Sequence, residues 1–165
     1  MKRVIIVRHA KAVPYGYEND FDRELTDRGE KDAGNIGREL KRKGISPDMM
    51  ISSPAARALK TAQIFAENLD FDISRIQEKM DIYDGLTTAE FLSILYNLPE
   101  TVRTVFFFGH NPGFHYFVSN LLKNFTGDMP TCSTIVIRFE VDSWQKVEAR
   151  KGELDFQLVP AQFKI

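Results

Sequence analysis

Two short runs of apolar β-formers constrain the fold of this chain most: Val4-Ile5-Ile6-Val7 near its start and Val105-Phe106-Phe107-Phe108 further on. Neither run alternates with polar residues, so each predicts a strand buried on both faces, as in a parallel sheet with helices on either side. The two runs end alike. Arg8-His9-Ala10-Lys11 follows the first, and Gly109-His110-Asn111-Pro112-Gly113 follows the second. In open α/β sheets, ligands sit in the crevice beyond the carboxyl ends of the strands. If the two strands are parallel neighbours, both imidazoles emerge at that edge.

The intervening segments supply the rest of such a fold. Residues 12–25 read as a loop with Pro14, Gly16, Glu18, Asp20 and Asp22, long enough to suggest a function. A helix follows, capped by Thr26 or by an Asp27/Glu30 box, with Ala33, Ile36, Gly37 and Leu40 at helical spacing and Gly44 and Pro47 as its stop. Met49-Met50-Ile51 predicts a second strand. Ser53-Pro54 then reads as the N-cap and first position of a helix carrying Ala58, Ala62, Phe65, Ala66 and Leu69 on one face. A weaker strand is expected within 75–83, ending near Ile82-Tyr83. The next helix opens on a Thr87/Glu90 capping box, buries Phe91, Leu92 and Leu95, and stops at Pro99. Phe114, Phe117, Val118, Leu121 and Leu122 mark an amphipathic helix after His110.

From residue 133 the pattern changes. Ile135, Ile137, Phe139 and Val141 predict a strand solvated on one side, with Trp144–Ala149 as its hairpin partner across Asp142-Ser143. The tail from Phe156 to Phe163 is apolar enough to dock on the body. The expected architecture is α/β, a three-layer α/β/α sandwich with a mainly parallel sheet and an antiparallel edge, in one domain over residues 1–165.

Composition bounds the function. A net charge of −1 over 165 residues lacks the basic excess of a nucleic-acid binder. A single cysteine, Cys132, allows no internal disulfide and suits a reducing compartment. The opening apolar run stops at Arg8, too short for a signal peptide, and no stretch approaches a membrane span. The expectation is a cytoplasmic monomer with neither nucleic-acid nor membrane partners.

One further residue gives the histidines a purpose. Arg57 falls in the first turn of the helix after Ser53-Pro54, where free N–H groups and the helix dipole already favour anions. Arg8, Arg57, His9, His110 and two helix N-termini would then face one crevice, and phosphate suits it because arginine forks match its oxygens in pairs. Like charge from the arginines should hold His9 as neutral imidazole, leaving a ring nitrogen able to attack phosphorus. A metal held by His9, His110 and a carboxylate is the competing reading. Against it stand the absence of an HxH or HxxxH pair and the adjacent arginines. His115 reads as structural or surface-exposed, and Cys132 as unreactive.

Arg8-His9-Ala10, Leu25-Thr26 with Gly29, Ser53-Pro54 with Arg57-Ala58 and Thr61-Ala62, and Gly109-His110-Asn111-Pro112 occur in that order. Together they resemble the histidine phosphatase superfamily with its phosphoglycerate mutase-like fold, from about residue 3 to the end. The chain is most similar to the SixA-type phosphohistidine phosphatase branch. The resemblance implies that His9 is the phosphorylated nucleophile and that Arg8, Arg57 and His110 form the phosphate pocket. Arg23 and Asn111 would touch phosphate or substrate. For the general acid it points to Asp84, in Ile82-Tyr83-Asp84-Gly85, with Asp20 and Asp22 as rivals. Larger relatives carry an inserted helical subdomain for which this chain has little room, which leaves the site open to a side chain on another protein. The expected activity is a metal-independent phosphatase without cofactor, acting on a phosphohistidine protein or a small phosphorylated compound. The alternatives are a phosphomutase and a non-catalytic phosphate- or protein-binding module.

Overall fold

A computed structural model describes residues 1–163. The strands are β1 (Lys2–Arg8), β2 (Met49–Ser52), β3 (Gln77–Glu78), β4 (Thr104–Gly109), β5 (Thr134–Phe139) and β6 (Glu153–Leu158). They form one sheet in the order β3-β2-β4-β1-β5-β6. β3, β2, β4 and β1 run parallel, and β5 and β6 join antiparallel at one edge.

The helices are α1 (Asp27–Arg42), α2 (Ala56–Asn68), the one-turn α3 (Met80–Asp84), α4 (Thr88–Tyr96) and α5 (Gly113–Leu121). β1 shows why both sheet faces need cover. Ile5 and Val7 pack with Ile36 and Leu40 of α1 and Phe65 of α2, while Val4 and Ile6 pack with Phe91 of α4 and Phe117 of α5. All four strand residues are fully buried, and each such side chain contributes roughly 1.5–3 kcal/mol of burial free energy. The three layers are those expected.

Several local expectations are met. Thr26, not Asp27, caps α1, its side chain accepting from Gly29 N–H. The Thr87/Glu90 capping box of α4 makes both of its bonds. Gly44 adopts a φ of +80° just past α1, a conformation that costs glycine little.

Four expectations are corrected. The N-cap of α2 (Ala56–Asn68) is Ala55, not Ser53, because Ser53 still belongs to the strand exit: its N–H donates to the Phe108 carbonyl at 2.9 Å, and its hydroxyl lies 2.8 Å from His110 Nε2 while accepting from the Ala55 N–H at 3.2 Å. The strand over 75–83 shrinks to Gln77–Glu78, and Ile82-Tyr83 lie on α3, which buries Ile82 against the sheet and ends at Gly85 with φ +117°. β5 is buried on both faces, not one, since Val136 packs under α1 and α2 while Ile135 and Ile137 face the other layer. Trp144 lies on a 3-10 turn, fully buried, with its indole N–H on the Val102 carbonyl, so it pairs with no strand. The partner of β5 is β6, where Arg138 binds Asp155 and Glu153 across the pair.

Candidate active site

Three strand ends meet at the carboxyl edge of the sheet. The β1–β4 register pairs Arg8 with Gly109, so His9 and His110 leave adjacent strands side by side, with ring centroids 5.4 Å apart. The His9 N–H donates to the Gly109 carbonyl at 2.9 Å, continuing the ladder past the strand. Ser53 at the end of β2 brings α2 in behind them, with Arg57 buried in its first turn.

The His9 ring has a fixed tautomer. Its Nδ1 lies 2.8 Å from the Ala10 carbonyl, and a carbonyl can only accept, so Nδ1 carries the proton and Nε2 the lone pair. The Ala10 N–H bonds to Thr61 Oγ1, whose hydroxyl donates to the Arg57 carbonyl, fastening this turn to α2. Burial pushes the His9 pKa down to about 4; the Ala10 hydrogen bond opposes this, while Arg57, Arg8 and Arg23 add to it. The expected direction holds, but desolvation is the larger cause and like charge the smaller.

Burial also pushes His110 down to about 3, reinforced by Arg57 and His9. Its Nε2 lies 2.8 Å from Ser53 Oγ, and its Nδ1 is buried without a partner among the described residues. Tyr83 meets the His110 ring edge-on at 5.5 Å, and Phe21 meets Tyr83 likewise at 5.1 Å.

The arginines are held at their tips. Arg8 Nη1 donates to the Met129 carbonyl at 2.9 Å. Arg57 Nη1 donates to the Asp20 carbonyl at 2.8 Å and Nη2 to the Asp20 carboxylate at 2.9 Å. In both residues Nε is buried and has no partner among the described residues. Arg23 donates to Asp20 Oδ1 and to the Val13 carbonyl, each at 3.0 Å. It reaches this position because the loop closes on itself at an Ala12–Leu25 bridge.

The fold thus gathers His9, His110, Arg8, Arg57 and Arg23. Asn111 is present too, but its amide N–H donates to the Met129 carbonyl at 3.1 Å. Asp84 is exposed at the end of α3 and makes no hydrogen bond or ion pair among the described residues. Asp20 is the carboxylate drawn into the cluster. Burial acts to raise its pKa, but hydrogen bonds from Tyr83, Arg57 and Arg23 hold it down at about 2. Asp22 lies exposed on the same 3-10 turn, Asp20–Asp22.

Three participants escape the sequence reading: the Ser53 hydroxyl, the Tyr83 ring and the Met129 carbonyl. Ser53 stands two residues past the apolar run Met49–Ile51, as His9 and His110 stand two past theirs, and that parallel is the signal for it. His115 lies outside, edge-on to Phe125 at 5.7 Å. Burial pushes the Cys132 thiol well above its ordinary value, so it offers no thiolate. Among the described residues, no group of three His, Cys, Asp or Glu side chains is placed to hold a metal ion.

A neutral imidazole with one nitrogen tied down and guanidiniums around it can attack an electrophile that carries negative charge. Phosphorus bearing anionic oxygens is such a centre.

Comparison with known proteins bears on this arrangement. The chain is 27% identical over 160 residues to an uncharacterized chloroplastic protein of Arabidopsis thaliana, covering 92% of this chain and 72% of that one. It is 33% identical over 84 residues to the mitochondrial serine/threonine-protein phosphatase Pgam5 of Drosophila mojavensis, covering 51% of this chain but only 29% of the relative's length. Among solved structures it is similar to a candidate phosphohistidine phosphatase SixA from Agrobacterium tumefaciens, with a TM-score of 0.81, 26% identity and coverage of 96% and 98%. A protein histidine phosphatase SixA complexed with tungstate shares the fold, with a TM-score of 0.79, 22% identity and coverage of 98% and 99%. The model of the histidine phosphatase superfamily (branch 1) matches residues 4–111. The chain belongs to the histidine phosphatase superfamily, branch 1, and is a phosphatase.

Proposed function

We propose that this phosphatase works without metal or cofactor, through a phosphohistidine intermediate on His9. The observation that carries the reading is the His9 tautomer: Nδ1 is bonded to the Ala10 carbonyl, so a neutral ring presents the Nε2 lone pair beside Arg57 and Arg8. In the first step Nε2 attacks phosphorus, the bond from phosphorus to the leaving group breaks, and the leaving atom takes up a proton. In the second step water attacks the phosphorylated His9, releasing inorganic phosphate and restoring the lone pair. Arg8, Arg57 and His110 stabilise the charge on the phosphoryl oxygens, and Arg23 and Asn111 stand at the edge of that pocket.

Asp84 is our candidate for the proton donor. Asp20, its main rival, is held ionised at about pKa 2 by three donors, which suits it poorly to carrying a proton near neutral pH. Asp84 has no such partner among the described residues.

The favoured substrate is a phosphohistidine side chain on another protein, or a small compound with an equally good leaving group. A departing imidazole accepts a proton readily near neutral pH, so it asks little of an acid. The likeness to SixA structures supports this choice. Among the described residues no helix is long and apolar enough to cross a membrane. With a buried lone Cys132, this supports action in the cytoplasm without disulfide-linked partners, and we read the working form as a monomer.

The test is a panel of phosphohistidine, phosphorylated histidine-relay proteins, aryl phosphates and sugar phosphates, assayed with a metal chelator present. Preference for the phosphoramidates with activity retained in chelator is expected. A strong preference for sugar phosphates, or loss of activity in chelator, would overturn the reading.

A further inference from the structure

Both nitrogens at the tip of Arg57 are engaged by one residue, Asp20, 37 positions away in the chain. The same carboxylate accepts from the Tyr83 hydroxyl at 2.9 Å and from Arg23 at 3.0 Å. A carboxylate and a phosphoryl group address a guanidinium in the same way, by setting anionic oxygens against its N–H groups. The contact therefore has the chemistry of a bound anion, supplied by the protein itself.

The two partners differ in their freedom to move. The Arg57 side chain is 7% exposed and the Asp20 side chain 51%. Asp20 sits on a three-residue 3-10 turn that buries none of its own residues. The loop bearing that turn is pinned at its neck, by the Ala12–Leu25 bridge and the Val13 N–H to Glu24 carbonyl bond. Whatever separates the pair moves Asp20 and leaves Arg57 in place. The Tyr83 ring whose hydroxyl the carboxylate holds meets the His110 ring at 5.5 Å, so Asp20 is tied to both sides of the site.

Building on the reading of Arg57 as a phosphate-pocket residue, we propose that Asp20 is an internal competitor for that pocket. Its carboxylate holds Arg57 and Arg23 in the resting protein, a phosphoryl group displaces it, and its return helps release inorganic phosphate. This makes Asp20 a specificity-determining residue. A ligand must offer at least two charged oxygens to replace a carboxylate held by three side-chain donors. A phosphoryl dianion meets that demand, and a singly charged carboxylate ligand gains nothing by the exchange.

Calorimetric titration of inorganic phosphate into the full chain at low ionic strength tests this. Asp20→Asn keeps the size of the side chain but removes its charge and one of its two acceptor oxygens; Asp20→Ser, on the same exposed turn, removes the carboxylate altogether. Each should bind phosphate roughly tenfold more tightly than the native chain, and Arg57→Ala should bind it far more weakly. If both Asp20 variants bind no more tightly than the native chain while Arg57→Ala loses binding, the competitor role is wrong and the pocket stands. If Arg57→Ala leaves phosphate affinity unchanged, the pocket reading fails and the competitor role with it.

Discussion

His110 Nε2 and Ser53 Oγ lie 2.8 Å apart, joining the exits of two adjacent strands through their side chains. Ser53 is fully buried, and its main-chain N–H is committed to the Phe108 carbonyl, so its hydroxyl is a fixed post for the imidazole. Ser53→Ala releases the ring at one nitrogen and removes the acceptor for the Ala55 N–H. We expect a loss of about 1 kcal/mol in stability. The kcat for an aryl phosphate should fall roughly tenfold, because the ring is no longer held for the transition state. Steady-state kinetics and a urea titration check both parts.

The two site histidines make stability depend on pH in a defined sense. Their pKa values in the folded chain are about 4 for His9 and about 3 for His110, against an ordinary 6.5. Between those limits the unfolded chain binds more protons than the folded one, so stability is full above about pH 6.5 and falls as pH drops. Near pH 5 the slope should reach about 2.5 kcal/mol per pH unit from this pair. Asp20, whose pKa is lowered, adds a loss in the same direction only below about pH 4. Urea unfolding at pH 7, 6 and 5 measures the slope, and His110→Gln should reduce it by about half. Imidazole nitrogen shifts titrating near pH 6.5 would contradict the account.

Asp84→Asn separates leaving groups. An alkyl phosphate releases an alkoxide that must be given a proton, whereas an imidazole or nitrophenolate leaves with little help. The variant should lose about 10²-fold or more in kcat for an alkyl phosphate, and less than about threefold for phosphohistidine. Equal losses on both substrates would remove Asp84 from the role of acid.

How much of this was legible in the sequence follows from how each residue is constrained. β1 and β4 could be read because burial on both faces leaves four apolar residues in a row at each strand's centre, and their β-branched and aromatic make-up favours a strand over a helix. Their parallel pairing then carries His9 and His110 to one edge without further information. Ser53 was harder, because a serine before a proline signals a helix cap, while its hydroxyl here serves His110 across the sheet. β6 does alternate, Glu153-Leu154-Asp155-Phe156-Gln157-Leu158, but Trp144 is the more conspicuous residue and draws the hairpin too early. The hold of Asp20 on Arg57 could not be read at all. It depends on a loop closing at Ala12 and Leu25, and no local pattern reports the path of that loop.

The most direct test asks whether phosphorus passes through His9. The native chain, mixed with a radiolabelled aryl phosphate and quenched within milliseconds, should carry an acid-labile, base-stable label. Peptide mapping should place that label on His9, and it should decay as inorganic phosphate appears. His9→Ala should carry no label and lose hydrolysis by several orders of magnitude. Full hydrolysis by His9→Ala, or label on another residue of the native chain, would contradict the account.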